Sequence, residues 1–401
     1  MKYAFLTGLI PKQMEDEVKR RSTNYMSEAA SALQWHIYEG LSENIPEKIT
    51  LLNTLPVGSF PQYYSKPFIK TGTFTDGNGW KHQNIGFCNV RFIRNYNRPN
   101  KVYAVLKKWC TESDEEKTLF VYTVSAHFMT AVAKIKKQFP DLKVCVIIAD
   151  LPDMNDLSSN RSLLNQWIAR KTAADSYASI GCVDAFVLLT KQMADYMKIT
   201  KPFTVMEGIS TFHQQTELAA DDGIRRILYT GTLHKRFGIL NLVEAFTKIP
   251  NENYRLIICG IGDSEEEIRQ YAQKDSRIEF KGQLKRDEVL ALQKTARALV
   301  NPRQNNEEFT KYSFPSKNLE YLSSGVPLVA YKLDGIPDEY DTYTNYVQDN
   351  SVETLRDLLI DVCEDVNGEA ALRAQKAAEF VRNEKNAQKQ TLKITELLKT
   401  L

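Results

Sequence analysis

The chain has 401 residues, 43% hydrophobic and 25% charged, with 18 glycines and 14 prolines. That is the composition of an ordinary folded protein, and it excludes disorder, collagen and a small disulfide scaffold. Its 52 basic and 50 acidic residues leave a net charge of +2, too near balance for wholesale nucleic-acid binding. The balance hides an asymmetry: residues 1–200 hold 25 Lys and Arg against 19 Asp and Glu, residues 201–401 hold 27 against 31. The length suggests two domains, each able to bury its own core. The 6 cysteines stand far apart without C-x-x-C spacing, so neither a zinc ribbon nor a redox pair is written. No apolar run approaches the ~20 residues of a membrane-spanning helix and no signal-peptide pattern opens the chain, so a cytoplasmic location is expected.

Short β-rich runs alternate with amphipathic helical stretches, the pattern of parallel sheets with crossover helices. The first half predicts strands at 2–7, 48–54, 118–124, 143–149 and 184–189, and helices near 24–39, 98–110, 126–138 and 160–179. The second half restarts the pattern with strands at 225–230, 254–259, 277–281, 297–301 and 327–331, and helices at 238–248, 264–273, 286–295 and 315–324. From 351 onward two or three helices run on with no strand between them. The junction is expected near 200–222, where helical periodicity lapses into the polar turn of Asp221, Asp222 and Gly223.

Residues 66–109 break the alternation. Nine basic residues, including Arg91, Arg94 and Arg98, meet one acid, Asp76, and are interleaved with Phe68, Phe74, Trp80, Phe87, Phe92, Tyr96, Tyr103 and Trp109. Cations and aromatic rings together suit an anionic membrane surface or a phosphate-bearing partner. A solvated loop face over a core accounts for the same composition.

Three motifs in the second half carry chemistry. In Leu228-Tyr229-Thr230-Gly231-Thr232-Leu233-His234-Lys235-Arg236-Phe237-Gly238 a glycine follows a strand, and two cations precede a helix whose positive dipole end attracts phosphate. Plain turn chemistry can also place Gly and Lys there. Cys259-Gly260-Ile261-Gly262-Asp263 is a second glycine turn, but Glu265 stands where a dinucleotide fingerprint needs its third glycine, which argues against a nicotinamide cofactor. In Tyr312-Ser313-Phe314-Pro315-Ser316-Lys317-Asn318-Leu319-Glu320, Pro315 suits a helix start, and an acid one turn in can reach a ribose diol. A local Lys317–Glu320 surface pair is the simpler alternative.

These motifs, in this order, resemble the C-terminal half of a retaining GT-B glycosyltransferase of the family-4 (group 1) kind, of the bacterial polysaccharide and glycoconjugate type. The stretch PSKNLEYLSSGVPLVA is similar to that family's nucleotide-sugar signature, and Leu333-Asp334-Gly335-Ile336-Pro337-Asp338-Glu339 to its Gly-Gly-Ile-Pro-Glu loop. Val205-Met206-Glu207-Gly208-Ile209 stands at its turn into the second domain. The match runs from about 184 to 345; the first 180 residues agree only in layout. The resemblance implies an α/β fold, two Rossmann-like domains facing each other across a cleft. The acceptor domain would be 1–205, the nucleotide-sugar domain 206–380, and a helix at 381–401 would pack back on the first.

It implies donor binding by Gly231, Thr232, Lys235, Arg236, Gly260, Arg303, Tyr312, Ser313, Phe314, Pro315, Ser316, Lys317 and Glu320. It further implies acceptor or membrane contact by Gly8, Arg91, Arg94 and Arg98, and a catalytic Asp150 or His127 at strand ends of the first domain. His127 at a helix start can equally be structural, and Asp150 can be a helix cap. Two departures stand out. The family pairs two glutamates eight apart, and eight before Glu320 is Tyr312, the nearest acids being Glu307 and Glu308. The phosphate-loop arginine is replaced by Thr232, which moves its charge to Lys235, Arg236, Arg303 or Lys317.

No Asp-x-Asp occurs, so no metal and no cofactor beyond the nucleotide sugar are expected. The expected partners are that donor, a UDP-sugar on the family's pattern, and a saccharide acceptor, free or lipid-linked, with peripheral contact to an anionic membrane and no nucleic acid. A sugar-nucleotide epimerase of the same fold, and a catalytically idle donor-binding partner of another transferase, are the alternatives.

Overall fold

Two parallel sheets organise the chain, each in its own unit, in a computed structural model that describes residues 1–23, 28–151, 177, 179–210, 221–365 and 368–401. One unit comprises Met1–Ile209 together with Ala387–Leu401, the other Ser210–Asn386. The expected helix over 160–179 falls largely outside the described residues.

The first unit contains β1 (Lys2–Thr7), β2 (Ile49–Asn53), β3 (Phe68–Ile69), β4 (Gly72–Thr75), β5 (Lys81–Asn84), β6 (Phe87–Cys88), β7 (Lys117–Tyr122), β8 (Lys143–Ile148), β9 (Ala185–Leu188) and β10 (Phe203–Val205). Eight of them form a sheet in the order β10-β9-β8-β7-β1-β2-β5-β4, antiparallel only at the β4–β5 edge. Alternate residues along the strands share a face. Phe5, Phe120 and Tyr122, Cys145 and Ile147, and Ala185 and Val187 accordingly meet Ile37, Tyr38 and Leu41 of helix Glu28–Asn44, and Ile394 and Leu397 of helix Ala387–Leu398, in one core. Each such large apolar side chain contributes roughly 1.5–3 kcal/mol by leaving water.

The basic segment is structured rather than a bare loop. Its first part forms β3 to β6, and its second is helix Ile93–Thr111, which begins ahead of the expected 98 and runs through Pro99. Arg98, Val102, Leu106 and Trp109 form the buried stripe of that helix, and this tertiary packing offsets the roughly 3 kcal/mol an interior proline costs. The lone acid of the segment turns inward: Tyr38 donates to Asp76 at 2.6 Å, and His82 Nε2 lies 3.4 Å from the same carboxylate. Leu51 N–H donates to His82 Nδ1 at 3.1 Å, so Nε2 carries the proton that faces Asp76. Burial holds the His82 pKa below its ordinary value.

The second unit is wholly parallel: β11 (Arg225–Thr230), β12 (Tyr254–Cys259), β13 (Ile278–Gly282), β14 (Ala298–Asn301), β15 (Leu328–Tyr331) and β16 (Asn345–Val347). Their order is β13-β12-β11-β14-β15-β16. The chain winds one way from β11 and the other way from β14, so the strand order reverses between them. The first sheet reverses likewise between β1 and β7. Crevices at the carboxyl ends of such reversals are where open parallel sheets bind ligands.

Candidate functional site

In the second unit the reversal lies between the loop after β11 and the loop after β14. Their backbones nearly touch: Gly238 has φ +77 and a Cβ there would lie 2.0 Å from the Pro302 carbonyl oxygen. Gly260, at φ +144, is pressed in the same way on the carbonyl of Gly231, where a Cβ would come to 1.8 Å. These glycines are therefore required by close approach of one loop to the next. Gly231 N–H donates to the Cys259 carbonyl at 3.0 Å, and the Thr232 carbonyl accepts from the Tyr229 hydroxyl at 2.7 Å.

Of the four cations that could meet a diphosphate, three are paired with carboxylates. Lys235 is exposed and pairs with Glu267. Lys317 holds both oxygens of Glu320, at 3.1 and 3.0 Å. Arg236 and Arg303 flank one ring: Arg236 sits 4.4 Å from the centroid of Phe309, Arg303 5.6 Å from the same ring and 4.1 Å from Phe237. The Nε of each is shielded from solvent without a partner. Burial, with a smaller push from Arg236, brings the Arg303 pKa down to about 10. Arg236 also pairs with Glu307, one of the two acids nearest the missing family glutamate.

The third motif closes the crevice. Pro315 caps the eight-residue helix Ser316–Ser323, with Ser316 exposed at its first position. Phe314 is buried against Tyr340, their ring centroids 5.1 Å apart. Tyr312 and Ser313 are half-buried, and the Ser313 Oγ is shielded and unpartnered. The buried Tyr321 hydroxyl accepts from Thr230 N–H at 2.8 Å and fixes this helix to β11. Glu320 is steadied by Gln293 Nε2 at 2.8 Å as well as by Lys317, so the local pair is real and leaves a pre-positioned carboxylate.

In the first unit the sequence candidates separate. Gly8 follows β1, its N–H and carbonyl both bound by the Gln34 side chain at 2.7 and 3.1 Å. Asp150 is exposed beyond β8 and adds to burial in raising the Tyr122 pKa. His127, half-buried in the first turn of helix Ala126–Gln138, stands beside Arg94 and Arg98. Arg91 alone of the three arginines is exposed.

Sequence reasoning missed Phe237 and Phe309 as platforms, Gln293 as a support of Glu320, and Ser59 and Asn95 beside the arginines of the first unit. Only the platforms left a trace, an aromatic next to Arg236 and another in the loop that follows Arg303. Among the described residues no group of three or more His, Cys, Asp or Glu side chains is placed to hold a metal ion, and no helix is long and apolar enough to cross a membrane.

Comparison with known proteins agrees with this fold. Residues 211–386 match the family model described as glycosyl transferases group 1. Solved structures resemble the whole chain at low identity. Sucrose-phosphate synthase from Thermosynechococcus elongatus is 12% identical, with 100% of this chain and 99% of that one covered at TM-score 0.65. The lipopolysaccharide outer core galactosyltransferase WaaB is 12% identical, covering 100% and 99% at 0.63. HepE of Anabaena, solved in complex with UDP, is 13% identical, covering 100% of both at 0.61. No curated protein matches at the sequence level. The fold is GT-B, two Rossmann-like α/β units.

Proposed function

We propose that the protein is a retaining glycosyltransferase that moves a hexose or N-acetylhexosamine from a nucleotide sugar, a UDP-sugar in this reading, to a saccharide acceptor in polysaccharide or glycoconjugate synthesis. One observation carries the proposal: Arg236 and Arg303 converge on Phe309 at the strand reversal, each with an orphaned Nε. Two guanidinium groups on one ring, only one of them paired with an acid, suit a polyanion, and guanidinium forks match phosphate oxygens. The Tyr312–Ser316 loop ahead of a helix N-terminus adds donors, and Glu320 stands one turn into that helix for the ribose. The UDP bound by HepE supports the choice of nucleotide.

In the reaction the acceptor oxygen bonds to the anomeric carbon on the face the diphosphate leaves. The bond from that carbon to the diphosphate oxygen breaks, and the acceptor proton passes to the departing phosphate. Such chemistry depends on positioning and on stabilising the diphosphate charge, which the arginines and helix N-terminus supply here without a metal. Asp150 and His127 serve the acceptor side. Phe92, Ile93 and Tyr96, exposed by 67%, 54% and 79%, form with Arg91 and Lys101 a face suited to peripheral contact with an anionic bilayer.

Calorimetric titration with UDP tests the donor site, and absence of binding by any nucleoside diphosphate removes the proposal. Product analysis with and without acceptor separates transfer from epimerisation, which needs no acceptor.

A further inference from the structure

Beside the sheet reversal of the first unit, positive charge has left water without gaining a counter-charge among the described residues. Arg98 is 7% exposed; its Nη2 donates to Thr54 Oγ1 at 2.6 Å and to the Leu55 carbonyl at 3.3 Å, while its Nε has no partner. Arg94 donates to the Val57 carbonyl at 3.1 Å. No carboxylate figures among the electrostatic neighbours of either, and each pKa is held down by burial, that of Arg98 to about 9 with a push from Arg94. His127 adds a shielded, unpartnered Nε2, and Ser125 a shielded, unpartnered Oγ, at the start of the 13-residue helix Ala126–Gln138.

A buried guanidinium with only neutral oxygens for company is costly, and the usual compensation is an internal acid. Among the described residues no acid pairs with either arginine, and beside them lies a cavity of about 360 Å³ whose lining includes Ser59, Arg91, Arg94, Asn95, Arg98 and His127. Its walls come from Ser59 beyond β2, the start of helix Ile93–Thr111 with the turn before it, and His127 beyond β7, at the carboxyl edge where a parallel sheet holds its ligand. Three arginines around one space exceed what a single carboxylate needs and match a phosphate dianion or a diphosphate.

We propose that this cavity binds the phosphate or diphosphate group of an anionic acceptor. The inference rests on the transferase reading above for the word acceptor, and on the cavity alone for the anion. The substrate class is then a sugar phosphate or a sugar carried on a lipid diphosphate, with Arg94 and Arg98 as the inner contacts and Arg91 at the mouth.

The test is calorimetry of pyrophosphate into the full chain saturated with UDP, so that the second unit is already occupied. Binding is expected, and Arg94→Gln and Arg91→Ala each weaken it by at least about ten-fold while UDP affinity stays within about two-fold. Arg91 is exposed, so its variant remains informative if loss of a buried arginine impairs folding. Should UDP not bind, the same titration without it still reads the cavity, and the two ideas fail separately. Competition by hexose 1-phosphate assigns a soluble acceptor, and competition by vesicles carrying a polyprenyl diphosphate a membrane-borne one. No pyrophosphate binding, binding indifferent to both substitutions, or equal competition by a hexuronate overturns the proposal.

Discussion

Each unit sets a pair of arginines at the carboxyl edge of its parallel sheet, and the pairs are built differently. Arg236 and Arg303 are separated by an aromatic ring, and one of them has an internal carboxylate, Glu307. Arg94 and Arg98 have carbonyls, the Thr54 hydroxyl and Phe87 for neighbours, with ring-centroid distances of 5.9 and 4.7 Å, and no acid among the described residues acts on them. A carboxylate in place means an incoming anion must displace a resident charge, which favours exchange over tight retention. An arginine pair without one is unsatisfied until its ligand arrives. The first arrangement suits a nucleotide that must leave after every turnover, the second a group gripped for orientation.

The largest expected effect breaks the symmetry directly. Arg303→Gln should cost UDP binding about 2–3 kcal/mol, on the order of 100-fold, because a charge-assisted phosphate contact in a dry site is lost. Thermal stability of the unliganded protein should hold or rise, since a buried charge is removed; unchanged UDP affinity by calorimetry would show that the second pair is structural.

The next effect is on pH dependence, and it belongs to the first unit. His82 and His127 both have folded pKa values below the ordinary 6.5, chiefly from burial. The unfolded chain therefore takes up protons first, so their contribution is whole above pH ~6.5 and is lost as pH falls toward the folded values, by up to about 1.4 kcal/mol per pH unit for each. Melting curves between pH 8 and 5 should show this decline, and His127→Gln should flatten it. A slope identical in the variant would place His127 outside the titrating set.

The smallest effect concerns the resident carboxylate. Glu307→Gln should tighten UDP binding several-fold, within about 1.4 kcal/mol, since Arg236 no longer gives up a partner. Weaker binding in that variant would instead make Glu307 a donor ligand and a replacement for the family's absent glutamate.

The sequence made much of this readable where local patterning coincides with burial. The strands RRILYT, YRLIIC and KVCVII are nearly continuous apolar runs and sit where their composition put them. The short strands β3 to β6 were opaque because each spans only 2 or 4 residues, too few to show an alternation, and pairing rather than propensity holds them. Arg236, Arg303 and Phe309 meet only through the parallel order of β11 and β14, which no local spacing encodes. Arg98 was readable in principle. It lies four residues before Val102 and eight before Leu106, on the apolar stripe of its helix, whereas the charge tally grouped it with a solvated basic face.

The return of residues 387–401 to the first unit has a consequence for biosynthesis. Ile394 and Leu397 complete the core over helix Glu28–Asn44, and Asn44 Nδ2 donates to the Gln388 carbonyl at 2.7 Å. During translation the first unit is made first, yet it waits for its last helix until every residue of the second has left the ribosome. The contiguous second unit needs no such wait, so the half of the chain begun later can be the first to close its core.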